Sequence, residues 1–155
     1  MELRAAIKLF IDEFSAFETH IIGAALRALS ADEGFLDGVE KLLDLEARLN
    51  LLRRMALSRG ADPALVTQLD DAIVKSNALR EKRNTLTRWR ELAEKSSAHL
   101  GPHRSWIPVK CVSPLDVWVP TVGEIDACID STYRLKTTMR SVSERLNQPD
   151  RRRLN

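Results

Sequence analysis

Leu3, Ile7, Phe10, Phe14, Phe17, Ile21 and Ala24 recur at alternating steps of four and three residues. A helix brings such positions onto one face, because 3.6 residues per turn returns i, i+4 and i+7 to nearly the same direction. Ile11, Ile22, Ala25 and Leu29 widen the stripe, so this face is broad enough to pack on more than one neighbour. A chain that opens in this way needs other helices to cover it.

The rest of the sequence supplies them. Ser30-Ala31-Asp32-Glu33 is a capping-box pattern that starts a second helix, with Phe35, Val39, Leu42, Leu49, Leu52 and Ala56 directed inward. Its first half is acidic (Asp32, Glu33, Asp37, Glu40, Asp44) and its end is basic (Arg53, Arg54, Arg59). That order complements the helix dipole, which reads as structural. Gly60 supplies the stop, Asp62 the next N-cap and Pro63 the first helical position. The third helix carries Leu65, Leu69, Ala72, Ile73, Ser76, Leu79, Leu86 and Ala93 inward to about Ser97, before Gly101-Pro102.

Residues 107–112 and 116–119 are short β-like runs around Ser113-Pro114, as in a small hairpin. Thr121-Val122-Gly123-Glu124 is a second capping box. It opens a final helix that buries Val122, Ile125, Cys128, Ile129, Thr132, Leu135, Met139, Val142 and Leu146. The expected fold is all-α: an antiparallel four-helix bundle with a small β-like hairpin inserted at about 98–120, between helices three and four. Residues 1–147 form one domain, and the basic tail 148–155 frays. Long apolar helices of this kind leave a face for a second copy, so a homodimer is expected.

Composition narrows the classes of function. The 155 residues can bury a core without disulfides, and a net charge of +2 points neither toward nucleic acid nor away from it. Two cysteines, Cys111 and Cys128, make no disulfide framework, so a reduced, cytoplasmic setting is expected. Charges at Glu2, Arg4, Lys8, Asp12 and Glu13 argue against a signal peptide or membrane span at the start. No phosphate loop, dinucleotide fingerprint, nucleophile elbow or paired Glu-x-x-His motif is present, so no cofactor is expected.

Residues 77–90 (NALREKRNTLTRWR) break the apolar pattern by placing Arg80, Arg83 and Asn84 where it should continue. Guanidinium and amide groups on a packing face are costly unless something pairs with them. Three readings follow. The groups can cap carbonyls in the insertion or pair with Asp or Glu of a neighbouring helix, form a dimer contact, or bind a ligand or RNA. Lys75, Arg80, Lys82, Arg83, Arg88 and Arg90 oppose one acid, Glu81, and Trp89 lies among them. Cations with an interleaved aromatic can hold phosphates and stack a base. These residues are nevertheless distributed around the helix, which favours a solvated face over a nucleic-acid stripe.

The segment Arg83-Asn84-Thr85-Leu86-Thr87-Arg88-Trp89 resembles the Arg-Asn-x-(apolar)-x-His segment of the HEPN superfamily. The order of two long helices, a motif-bearing third, a β-like insertion and a capped final helix is also similar. In nuclease members an Arg followed by His after four to six residues forms the ribonuclease site. Here Arg88 occupies the position of the His. Metal-independent RNA cleavage benefits from a group that exchanges protons near neutral pH, as His does, whereas Arg stays protonated. The resemblance therefore implies a degenerate, non-nuclease member.

His99, His103 and Cys111 offer soft ligands near one turn, but Gly101-Pro102 disrupts a common helical face and no fourth ligand is evident, so no metal site is expected. His20 reads as a hydrogen-bonded residue at the core edge. Trp106 and Trp118 flank the insertion and pin it to the bundle, or mark an interface if exposed together. The resulting expectation is a non-enzymatic interaction protein with Arg80, Arg83, Asn84, Arg88, Trp89, Trp106 and Trp118 as binding or interface candidates. An RNA-processing or toxin-like nuclease and a non-catalytic RNA-binding module remain the alternatives.

Overall fold

A computed structural model describes residues 2–29, 33–100 and 118–147. Every regular element among them is helical. Helix α1 (Leu3–Ala16) passes through a π-helical turn (Phe17–Ile21) into α2 (Ile22–Leu29). Then come α3 (Glu33–Leu42), α4 (Leu45–Ser58), α5 (Pro63–Leu100) and α6 (Val122–Asn147). Among the described residues, no helix is long and apolar enough to cross a membrane.

The π turn corrects the expected face of the first helix. Phe17 is followed on the buried side by Ile22, Ala25 and Leu26, whereas Ile21 is only partly buried and Ala24 is exposed. A π turn accommodates one extra residue, so the stripe advances by five from Phe17 to Ile22 and continues in the new phase. Phe10, Phe14 and Phe17 stack along this face with successive ring centroids 6.1 and 5.7 Å apart.

The expected second helix is two helices. Leu43 and Asp44 separate α3 from α4, and the Asp44 carboxylate accepts the Ala47 N–H at 2.9 Å as a new N-cap. The break rotates the inward set. Leu36 and Val39 are buried on α3, and Leu45, Leu49, Leu52 and Ala56 on α4, while Phe35 and Leu42 are exposed. Ser30, Ala31 and Asp32 of the first capping box lie outside the described residues.

The other helix ends follow their local signals. At the end of α4, Gly60 has φ of 72°; its N–H donates to the Leu57 carbonyl and the Ala61 N–H to the Ala56 carbonyl, each at 3.0 Å. This is a Schellman ending, whose left-handed residue suits glycine. The Asp62 side chain accepts the Ala64 N–H at 2.8 Å, and Pro63 opens α5. At α6, Glu124 accepts the Thr121 N–H at 2.7 Å, and Thr121 Oγ1 accepts the Glu124 N–H at 3.2 Å. The reciprocal capping box is therefore present.

With 38 residues, α5 is about 57 Å long and acts as the spine of a helical bundle. Its partners change along its length. Arg53 of α4 pairs with Asp70, and Glu46 with Arg80, so α4 runs antiparallel along the first half. Arg83 reaches Phe14 and Glu18, and Arg90 lines a cleft with residues of α1 from Arg4 to Ile11, so α1 runs antiparallel along the second half. Arg145 donates to Gln68, and Lys82 lies over Trp118, so α6 is also antiparallel to α5. Lys136 of α6 pairs with Glu13 of α1 and closes the ring of contacts. The buried core between them includes Leu26, Leu52, Leu69, Leu86, Ile125 and Met139.

The hairpin expected over about 98–120 lies largely outside the described residues. Its described margins give no support for strand: residues 98–100 belong to α5, and 118–120 have no regular structure. The tail at 148–155 also lies outside them.

Candidate functional site

The inner positions of α5 advance through Leu65, Leu69, Ala72, Ser76, Leu79 and Leu86 in steps of four and three, with residue 83 within the series. Arg83 therefore occupies a packing position. The π turn places Glu18 opposite it: Arg83 Nη2 donates to Glu18 Oε2 at 2.6 Å, and the guanidinium lies 5.6 Å from the Phe14 ring centroid. Glu18 is also held through its main chain, because Arg48 Nη1 of α4 donates to its carbonyl at 3.1 Å. One acidic residue thus joins the π turn, α4 and α5.

Arg80 lies one turn earlier and belongs to the same junction. Its guanidinium is 3.2 Å from Glu46 Oε2 and 3.5 Å from Asp44 Oδ2, at the start of α4. The two pairs differ in environment. Side-chain exposure is 22% for Arg83 and 14% for Glu18, whereas Asp44 is 68% exposed. Solvent screens the Arg80 contacts, which contribute little each, while the Arg83–Glu18 pair is largely shielded. Arg83 Nε, Asn77 Oδ1 and Ser76 Oγ are buried with no hydrogen-bond partner among the described residues.

The other expected site residues scatter. Asn84 is half-buried beside Arg83, and Arg88 is exposed. Trp89 is only 6% exposed and belongs to the core. Its ring is therefore unavailable as a surface platform for a base, which corrects the expected interleaving of aromatic and cations. Trp106 lies outside the described residues. Trp118 packs at the core edge beneath Lys82, whose Nζ is 5.2 Å from the ring centroid. His20, expected at the core edge, is exposed on the π turn.

Electrostatics around the α6 start follow from these contacts. The Thr121 N–H, then its hydroxyl, hold the Glu124 carboxyl below its ordinary value, with smaller help from Trp118 and Lys82. Burial pushes the Cys128 thiol up, and nearby Lys82 opposes that only in part. A buried, protonated thiol is a packing group and a poor nucleophile. Among the described residues, no three His, Cys, Asp or Glu side chains converge as a metal site would require.

Nothing in the sequence marks Glu18 or Arg48 as a partner of the motif. Glu18 was legible only as a charge on the edge of an apolar stripe, and Arg48 carries no local signal. What the junction can do chemically is bind opposite charges and set helix positions. A phosphate arriving at Arg83 must displace a carboxylate already 2.6 Å away. Compared with known protein families, curated proteins and solved structures, the chain matches none.

Proposed function

We propose that this protein is a non-enzymatic, cytoplasmic interaction protein, an antiparallel four-helix bundle resembling a degenerate HEPN domain and acting as a homodimer that binds a protein partner. The observation that carries the reading is the Arg83–Glu18 pair. The arginine central to the ribonuclease-like segment is engaged by an internal carboxylate. The residue at the histidine position, Arg88, cannot exchange protons near neutral pH. Arg80 is likewise turned to Asp44 and Glu46. These pairings favour a structural use of the segment, leaving the outer helix faces for partners.

Incubation of purified protein with labelled RNA, alongside light scattering, tests the reading. Neither binding nor cleavage, together with the mass of a dimer, supports it. Cleavage that disappears in Arg83→Ala refutes it in favour of a nuclease. Binding that weakens steeply with salt, without cleavage, refutes it in favour of an RNA-binding module.

A further inference from the structure

The groove between α5 and α6 holds two adjoining hollows, of about 370 and 290 Å³, whose linings share Lys75, Leu135 and Thr138. Buried Ala72, Leu79 and Leu135 form the floor. Lys75 of α5 and Arg134 of α6 line the smaller hollow, with no carboxylate among the described residues of its lining. Two cations drawn to one hollow repel each other unless an anion lies between them. The cross-helix cations Arg53, Arg80, Arg83, Lys136 and Arg145 all meet carboxylates. Lys75 and Arg134 make no ion pair or hydrogen bond among the described residues. Thr138 has a similar unused capacity. On α6 the hydroxyls of Ser131, Thr132 and Thr137 donate to the carbonyls four residues earlier. The Thr138 hydroxyl makes no such bond and can donate into the groove that it lines. The larger hollow adds Gln68, Ser141 and the carboxylate of Asp71, which makes no ion pair among the described residues although Lys75 is one turn away.

We infer that this groove binds a small phosphorylated polyol, such as a sugar phosphate, with Lys75, Arg134 and Thr138 on the phosphate and Asp71 on the hydroxyls. The inference goes beyond the interaction-protein reading and does not depend on it. A phosphomonoester carries close to two negative charges near neutral pH, which matches two cations, whereas a carboxylate leaves one of them unbalanced. Arginine offers paired N–H donors and lysine a point charge, a combination suited to a group with three acceptor oxygens. Thr138 belongs to both hollows, so a ligand with its phosphate in the smaller one extends past it into the larger. There the ionised Asp71 only accepts hydrogen bonds, which selects donors such as hydroxyl groups and repels a second anion. No aromatic side chain stands among the described residues of either lining, so nothing there stacks a base. Lys75, Arg134 and Asp71 are all exposed. Solvent therefore screens each contact, and the dissociation constant should be about 0.1–1 mM.

Nuclear magnetic resonance titration of the full chain with inorganic phosphate, glycerol phosphate and glucose phosphate tests this, with glucose as the uncharged control. A phosphorylated polyol should bind about tenfold more tightly than inorganic phosphate, and glucose should not bind. The shifted amides should cluster at 68–79 and 131–141. Lys75→Gln and Arg134→Gln should each weaken binding by about five- to tenfold, the size of one charge-assisted hydrogen bond in an exposed setting. Thr138→Val, which keeps the side-chain shape, should weaken it by about threefold. Asp71→Asn should weaken binding of the polyol esters but not of inorganic phosphate. Unchanged helical circular dichroism will show that the variants fold. No binding of any ester at about 10 mM, or binding indifferent to Lys75→Gln and Arg134→Gln together, overturns the site. Inorganic phosphate binding as tightly as both esters, or ester binding unaffected by Asp71→Asn, overturns the polyol assignment.

Discussion

Removing the Arg83 guanidinium while keeping its alkyl packing separates a structural charge pair from a solvated surface group. In Arg83→Met the Glu18 carboxylate, 14% exposed, loses its side-chain partner. Breaking a fully buried pair from one side costs about 3–5 kcal/mol, because the remaining charge stays desolvated. Partial exposure of both groups reduces this, and loss of the contact over Phe14 adds about 0.5–1 kcal/mol. The expected destabilisation is about 2–3 kcal/mol, or roughly 5–10 °C in Tm for a chain of this size. Glu18→Met should cost a comparable amount, since it leaves the guanidinium unpaired.

The double variant decides the matter. With both residues replaced by methionine, no charge is stranded, and an apolar pair of similar volume can fill the junction. Urea unfolding followed by circular dichroism should then give a double variant more stable than the sum of the single losses predicts, with a coupling energy of about 1.5–3 kcal/mol. A loss below about 0.5 kcal/mol in Arg83→Met, within the range of ordinary surface substitutions, would refute the buried pair. Strict additivity would refute it as well.

Four further expectations can be checked by unfolding. Asp44→Ala should cost about 1 kcal/mol through the lost cap, while Asp44→Asn, which can still accept from Ala47, should cost less than half of that; equal losses would mean that the charge facing Arg80 dominates. Glu124 is held below its ordinary value by Thr121, so its contribution is present above the unfolded-state value and lost as pH falls through the folded-state value. Glu124→Gln should therefore flatten the acid limb of Tm against pH, and an unaltered limb would contradict the assignment. Gly60→Ala should destabilise by about 1 kcal/mol from the positive φ alone, since a Cβ there meets nothing within 4 Å; Gly60→Asn should recover part of this loss. Trp89→Ala should cost about 3–5 kcal/mol as a core truncation, and a folded, equally stable variant with altered RNA binding would return Trp89 to the surface.

The sequence disclosed most where the signal was local. Gly60, Asp62-Pro63 and Thr121 through Glu124 each carry a cap within a few residues, and the structure uses all of them. It disclosed less where two phases fit equally well. Ile21 and Ile22 are both apolar, so a helix continuing from Phe17 can bury either, and only the π turn selects Ile22. Leu42, Leu43 and Leu45 concealed the break before α4 in the same way: an unbroken stripe through Leu42 looks as good as a restart at Leu45. The long-range pairs had no local trace. Glu18 and Arg83 are 65 positions apart, and a lone acid on the edge of a stripe does not announce its partner. The burial of Trp89 could have been read from its distance of three from Leu86. The run of neighbouring cations drew it to the surface instead.

The placement of the arginines on α5 explains why an otherwise apolar face tolerates them. Leucines at successive inner positions pack nearly as well after a shift of one helical turn, because inner positions recur every three or four residues. Charged pairs do not survive such a shift. Arg83 with Glu18 ties α5 to α1 at one level, while Arg80 with Glu46 and Arg53 with Asp70 tie it to α4 at two others. Arg145 beside Asp62 and Gln68 ties its beginning to the end of α6. A slide of any neighbour by one turn strands at least one charge, and at Glu18 the stranded charge is largely buried. Such pairs add modestly to stability, but they disfavour the wrong alignments more than they favour the right one. An Arg in this segment can therefore persist for the alignment of the bundle alone, without a phosphate to bind or a bond to cleave.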